Sequence, residues 1–170
     1  MNIREELLKE HSKAQALKIA GYACSSTKNF KELMNCFIDD EYRVAQRAAW
    51  SVSWAAKKQP VLIFPYIKTL VAQLNRKDVH HSVIRNAVRI LRDINIPERF
   101  HGEVMNSCFN YIEEPATPVA IKAFALTILG NLAKVYPEIK NELRVIIEER
   151  SATETAAFKA RAKHVLKQIA

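Results

Sequence analysis

Arg43, Arg47, Trp50 and Trp54 recur every three or four residues in RVAQRAAWSVSWAA, residues 43–56. That spacing puts two guanidinium groups and two indoles on one helical stripe, closed by Lys58. Arginine forks bind phosphate and carboxylate oxygens, and aromatic faces stack on bases, sugars or other rings. Between them run small residues: Val44, Ala45, Ala48, Ala49, Val52 and Ala55. These form a separate packing face, of which Val44, Ala48, Val52 and Ala55 are the centre. A competing reading gives Trp50 and Trp54 a purely structural task, filling the gap that an Ala-rich helix leaves beside its neighbour.

Other chemistry is sparse. The histidines at 11, 80, 81, 101 and 164 lack HExxH spacing and have no nearby cysteine pattern, so no metal site is expected. Cys24, Cys36 and Cys108 are odd in number, widely spaced and without CxxC, and read as buried small hydrophobes. Glu113-Glu114 and Glu148-Glu149 are adjacent carboxylates at helix ends, which suits solvated charge and not paired catalysis. No GxxxxGK[ST], GxGxxG or GxSxG occurs, and three glycines in all leave little material for a phosphate loop. No cofactor is expected, and the balance leans away from an enzyme.

The 170 residues are 49% hydrophobic and 26% charged, enough for one ordinary domain with a real core, read as a single unit over 1–170. No apolar run is long enough to span a bilayer and MNIREELLKEHSK has no signal-peptide core, so no membrane association and a cytoplasmic setting are expected. Nothing alternates with period two. Breakers divide the chain into nine expected helices: about 2–25, 29–38, 41–58, 60–75, 79–94, 97–113, 117–135, 137–149 and 153–169. Pro97 and Pro137 read as first-turn prolines, and Thr117 as a cap before Pro118. Asn2…Glu5, Asn29…Glu32 and Ser151…Glu154 have capping-box spacing, while Asp39/Asp40 and Asp78 can cap the helices after them. Pro65 must kink the fourth helix or move its start to near Phe64.

Four of these helices align with one another at a period of about 38 residues: 44–55, 83–94, 121–132 and 158–169. Each begins with an apolar residue, then carries Ala48, Ala87, Ala125 or Ala162, and then Val52, Leu91, Leu129 or Leu166. With Ile121-Lys122…Ala125…Leu129-Gly130-Asn131-Leu132 as the best match, the pattern resembles the second helix of the HEAT repeat. FKELMNCFIDD, IKTLVAQLNRK, VMNSCFNYIEE and LRVIIEER fit as first helices. The resemblance implies an all-α, right-handed α-α superhelix of about four helix pairs, at about 28–58, 59–95, 96–135 and 136–170, with 1–27 as an N-terminal capping helix.

Net charge is +8, and it is unevenly placed. The second helices with their flanks hold 15 Lys/Arg and 4 Asp/Glu, the first helices 7 and 11. In HEAT-like folds the second helices line the concave face, so the resemblance implies a basic groove. The stripe of Arg43, Arg47, Trp50, Trp54 and Lys58 continues at Asn86 and Arg89, at Phe124 and Asn131, and at Arg161 and His164. Two kinds of partner suit such a surface: an acidic protein or peptide, or nucleic acid. The groove composition is also similar, more weakly, to that of the HEAT-like DNA alkylation repair glycosylases. The Asn-Trp-Asp run expected of them is missing: Trp50 is followed four residues later by Trp54, and the acid in the matching window of the next second helix is Asp93.

Overall fold

The structure is a computed structural model, describing residues 1–38 and 41–170. Among these residues there are ten α-helices, four short 3-10 helices and no strand. They form two compact units, 1–94 and 95–170.

The first unit holds α1 (Ile3–Lys9), α2 (Lys13–Ala23), α3 (Thr27–Ile38), α4 (Tyr42–Lys58), α5 (Ile67–Gln73) and α6 (His81–Asp93). The expected single helix over 2–25 is two helices. Glu10 is extended, and Ser12, also extended, accepts a hydrogen bond from the Gln15 amide at 3.1 Å. Ser12…Gln15 has capping-box spacing, and this start signal outcompetes continuation of α1. The hairpin is then pinned by Glu6. Gln15 Nε2 donates to the Glu6 carbonyl at 2.7 Å and to its carboxylate at 2.9 Å, and Lys9 and Lys18 also pair with that carboxylate. Hydrogen bonds from Lys9, Gln15 and Lys18 lower the Glu6 pKa to about 2. Thus 1–27 is a helix pair like those after it.

Other boundaries shift for local reasons. Asn2 caps α1 as expected, accepting from Glu5 N. Ser26, not Asn29, caps α3, which begins two residues early at Thr27. Asp78 is taken by Arg76, so His80 Nδ1 caps α6 by accepting from Ser82 N at 3.1 Å. Arg76 also donates to the Ile38 carbonyl at the end of α3. Asp39 and Asp40 lie outside the described residues. Pro60 and Pro65 lack the amide hydrogens a continuous helix needs, so 60–66 is two 3-10 turns and α5 starts only at Ile67.

Packing follows the apolar stripes. Consecutive helices pair as α1/α2, α3/α4 and α5/α6, and α4 also packs against both α2 and α6. Val44, Ala48, Val52 and Ala55 are fully buried, as their spacing requires, with Ala49 beside them. Cys24 and Cys36 are buried.

The second unit holds α7 (His101–Glu113), α8 (Val119–Leu132), α9 (Lys140–Ser151) and α10 (Ala156–Ile169), with 3-10 turns before α7 and α9. Here α7 pairs with α8, α9 with α10, and α8 packs on α10. Pro137 opens its 3-10 turn as expected, whereas Pro97 and Pro118 occupy the position before the first helical residue. Gly130 marks the close approach of α8 to α10: a methyl there would stand 3.0 Å from Gln168 Oε1 and 3.2 Å from Val165 Cγ1. Thr155 caps α10, because Glu154 is engaged elsewhere. Its carboxylate pairs with Lys122, 2% exposed, and with Arg150 at 3.2 Å, while Lys122 also donates to the Pro115 carbonyl. Burial pushes the Glu154 carboxyl up, but the hydrogen bonds from Lys122 and Arg150 outweigh it and hold it below its ordinary value.

Two outcomes are expected. Ala125 is fully buried in α8, so Ala125→Leu should overpack the repeat and cost about 1–3 kcal/mol in urea unfolding. An unchanged midpoint would refute this register. Glu154 has a lowered native pKa, so its contribution is complete above the ordinary carboxylate range and fades as pH falls through the lowered value. Wild type should lose more stability between about pH 5 and pH 3 than the Lys122→Met/Glu154→Leu double variant, measured by unfolding at each pH.

Candidate binding cleft in the first unit

α4 has helices on three sides, α2, α3 and α6, and most of its surface is buried. The stripe expected over Arg43, Arg47, Trp50, Trp54 and Lys58 lies at its margins, and its members meet different fates. Arg43 is exposed. Arg47 is half-buried, and its Nη1 donates to the Leu7 carbonyl at 2.8 Å, fastening the last turn of α1 onto α4. Lys58 is exposed at the end of α4, beside Gly21 of α2.

Trp54 is half-buried and surrounded by cations from three helices. Lys13 Nζ of α2 is 5.3 Å from the ring centroid, Lys57 Nζ of α4 is 5.9 Å away, and the Arg89 guanidinium of α6 is 5.8 Å away. Its indole nitrogen is enclosed and has no hydrogen-bond partner among the described residues. Trp54 therefore serves as an apolar post on which cations rest. These neighbours suit the structural task weighed for it, filling an interhelical gap, and add one not foreseen, the gathering of charge.

Trp50 stands one turn earlier and faces another environment. Its ring lies 5.4 Å from that of His11, tilted by 40°. His11, Gln46, Trp50, Arg85, Asn86 and Arg89 together line a cleft of about 200 Å³. Three elements build it: the loop between α1 and α2, the outer edge of α4, and one face of α6. Asn86 is buried, its amide donating to the Ser82 carbonyl at 2.8 Å. Arg85 and Arg89 are one helical turn apart on α6, and Arg89 joins the cleft to the Trp54 cluster. Asp93, also considered for this groove, is bonded to Arg92 at 2.8 Å and lines a different cleft with Ser53, Lys57 and Pro60.

In the second unit Phe124 and Arg161 are half-buried and His164 is exposed. Asn131 accepts a hydrogen bond from Gln168 Nε2 at 3.1 Å, tying α8 to α10. Lys159, Lys163 and Lys167 line an open cleft of about 490 Å³ along α10 with Leu166 and Ser151.

Sequence reasoning missed His11, Gln46, Arg85, Lys13 and Lys57 as members of this site. Arg85 was recoverable, since it precedes Arg89 by four residues. His11 was hidden by treating 2–25 as one helix. Burial pushes the Cys24 and Cys108 thiols up, so neither is a ready thiolate. Among the described residues no group of three or more His, Cys, Asp or Glu stands close enough to hold a metal ion. No described helix is long and apolar enough to cross a membrane.

The family model of the HEAT repeat domain matches residues 3–169. The chain belongs to the HEAT repeat domain family. The match begins within α1, in accord with α1/α2 being a helix pair. Comparisons with curated proteins and with solved structures returned no match. HEAT repeats stack helix pairs into extended surfaces for binding other proteins, and this HEAT domain has the corresponding all-α build.

Because Arg47 is bonded to the α1 backbone, Arg47→Ala should destabilise the HEAT domain by about 1–2 kcal/mol. Arg43→Ala, at an exposed position, should stay within about 0.5 kcal/mol of wild type. Equal unfolding midpoints for the two variants would show that the Arg47 bond contributes nothing.

Proposed function

We propose that this HEAT domain is a non-enzymatic interaction module that binds an acidic protein or peptide through the face formed by α2, α4 and α6. One observation carries the reading. These three helices contain nine Lys/Arg and one acid, Asp93, which already faces Arg92. Lys13, Lys57 and Arg89 converge on Trp54, which places them within about 12 Å of one another, where physiological salt, with a screening length of about 8 Å, leaves part of their repulsion. Among the described residues no carboxylate lies within 4 Å of any of them. Repulsion among gathered like charges is relieved when an anionic partner docks, and the field of such a patch also speeds encounter.

The nucleic-acid alternative draws on the same charge, but no separate observation favours it. Trp54 is occupied by cations instead of presenting a free face, and Asp93 is held by Arg92 away from the Trp50 cleft.

The experiment is a titration of intrinsic tryptophan fluorescence with an oligoglutamate peptide and with duplex DNA, each at two salt concentrations. The peptide should perturb the emission saturably, and Lys13→Ala/Lys57→Ala should weaken it about tenfold or more. Tighter binding of duplex DNA, with log K falling steeply and linearly with log salt, would replace this reading with the nucleic-acid one. Silence toward both would end both.

A further inference from the structure

We infer that the Trp50 cleft receives a phosphate monoester carried on a side chain of the acidic partner. This rests on the proposed docking of such a partner and specifies what its central contact is. Among the described residues the cleft has no acid in its lining; its charged groups are Arg85 and Arg89, with His11 beside them. The two arginines are four residues apart on α6, so their guanidinium groups share one face. Among the described residues neither has a carboxylate within 4 Å, and neither donates a side-chain hydrogen bond. The Gln46 amide on the opposite wall is equally without a side-chain partner among those residues.

Donor number and charge select the ligand. Two guanidinium forks offer up to ten N–H donors, and Gln46 adds two more. A carboxylate brings one charge and two oxygens, which leaves most of these donors unmet. A phosphate monoester brings a charge of about −1.5 to −2 and three strong acceptor oxygens, matching two arginines in both charge and fork geometry. A phosphodiester brings a single charge at each of many evenly spaced positions, whereas here the pair of arginines meets in one hollow. The volume agrees. About 200 Å³ is several times the roughly 30 Å³ share of a liquid water, enough for a phosphoryl group and the stem that carries it. The stem would lie against the Trp50 indole, whose other neighbour is the His11 ring.

Arg89 is also preorganised. Resting near the Trp54 ring, it has lost part of its side-chain freedom before any ligand arrives, which lowers the entropic cost of binding. Arg85, exposed on the rim, supplies the second fork.

The test compares a phosphoserine peptide with its glutamate and unmodified counterparts, with inorganic phosphate and with a duplex oligonucleotide, by fluorescence and calorimetric titration at constant ionic strength. The phosphopeptide should bind at least tenfold more tightly than the glutamate peptide. Arg85→Ala and Arg89→Ala should each lose at least tenfold, while Lys68→Ala, on exposed α5 surface away from the cleft, should bind as wild type. If Arg89→Ala unfolds, Arg85→Ala decides, because its side chain is exposed. Equal binding of phosphoserine and glutamate peptides would overturn the phosphate assignment and leave the acidic-partner reading standing. Absence of binding by every peptide would remove both. Inorganic phosphate as tight as the phosphopeptide would overturn the side-chain source and make the ligand a small phosphate. Preference for the duplex would overturn the monoester in favour of a nucleic-acid backbone.

Discussion

Everything in the first unit depends on how closely α4 is approached. It packs on α2, α3 and α6 and, less extensively, on α1, and these neighbours leave a helix little room for side chains. Ala45, Ala48, Ala49, Ser51, Ser53, Ala55 and Ala56 are all buried, and each is small. Helix axes can come close only where such residues line the contact. The price is buried Ser51, whose hydroxyl has no hydrogen-bond partner among the described residues. Close packing also dictates where large residues can go. Arg47, Trp50 and Trp54 must sit at the crevices between α4 and its neighbours, where each touches a second element: Leu7, His11 and the α2 and α6 cations. The contrast between small and large residues along 43–56 is therefore one solution to one constraint, and the cleft is a by-product of it.

That constraint was legible in the sequence because it has a period. Val44, Ala48, Val52 and Ala55 and their equivalents around Ala87, Ala125 and Ala162 recur at helical spacing, and all are buried except Ile94 and Leu166, which are half-buried. The charge separation between alternate helices was legible for the same reason. What was not legible were the choices between competing local signals. Ser12…Gln15 and Ser26 each offered a cap that a longer helix could have overrun, and the tertiary bonds of Gln15 to Glu6 decided the first. Asp78 is a good cap by residue type, but Arg76 claimed it two residues away. Ser151…Glu154 failed similarly, since a lysine 32 residues upstream in sequence binds that carboxylate. A capping pattern states what a side chain can do locally; it says nothing of a distant cation.

The candidate site was partly legible in the same sense. Wheel geometry places Arg43, Arg47, Trp50, Trp54 and Lys58 on one stripe, but a stripe on α4 does not say which member is consumed by packing. Arg47 is spent on a backbone carbonyl and Trp54 on a cation cluster, while Trp50 and Arg89 remain on a cleft wall. Gln46 and Arg85 were off the stripe because a cleft is made by facing edges of two helices, not by one face of either.

The treatment of charge separates structural from available groups. Buried ions here are paired: Glu6 with Lys9 and Lys18, and Lys122 with Glu154 and, through it, Arg150. Removing one partner of the buried Lys122–Glu154 pair would leave an uncompensated charge, whereas the Glu6 pairs reach out to exposed lysines and contribute less. On the α2, α4 and α6 face the rule is reversed. Lys13, Lys57, Arg85 and Arg89 stand without carboxylates among the described residues, although Asp and Glu are plentiful in α1, α7 and α9. Solvent tolerates such cations singly at small cost, but their convergence around Trp54 and the Trp50 cleft adds mutual repulsion that folding alone gives no reason to retain. A ligand that supplies the missing negative charge recovers that energy on binding, and a dianion set between Arg85 and Arg89 recovers more of it than a monoanion in the same place.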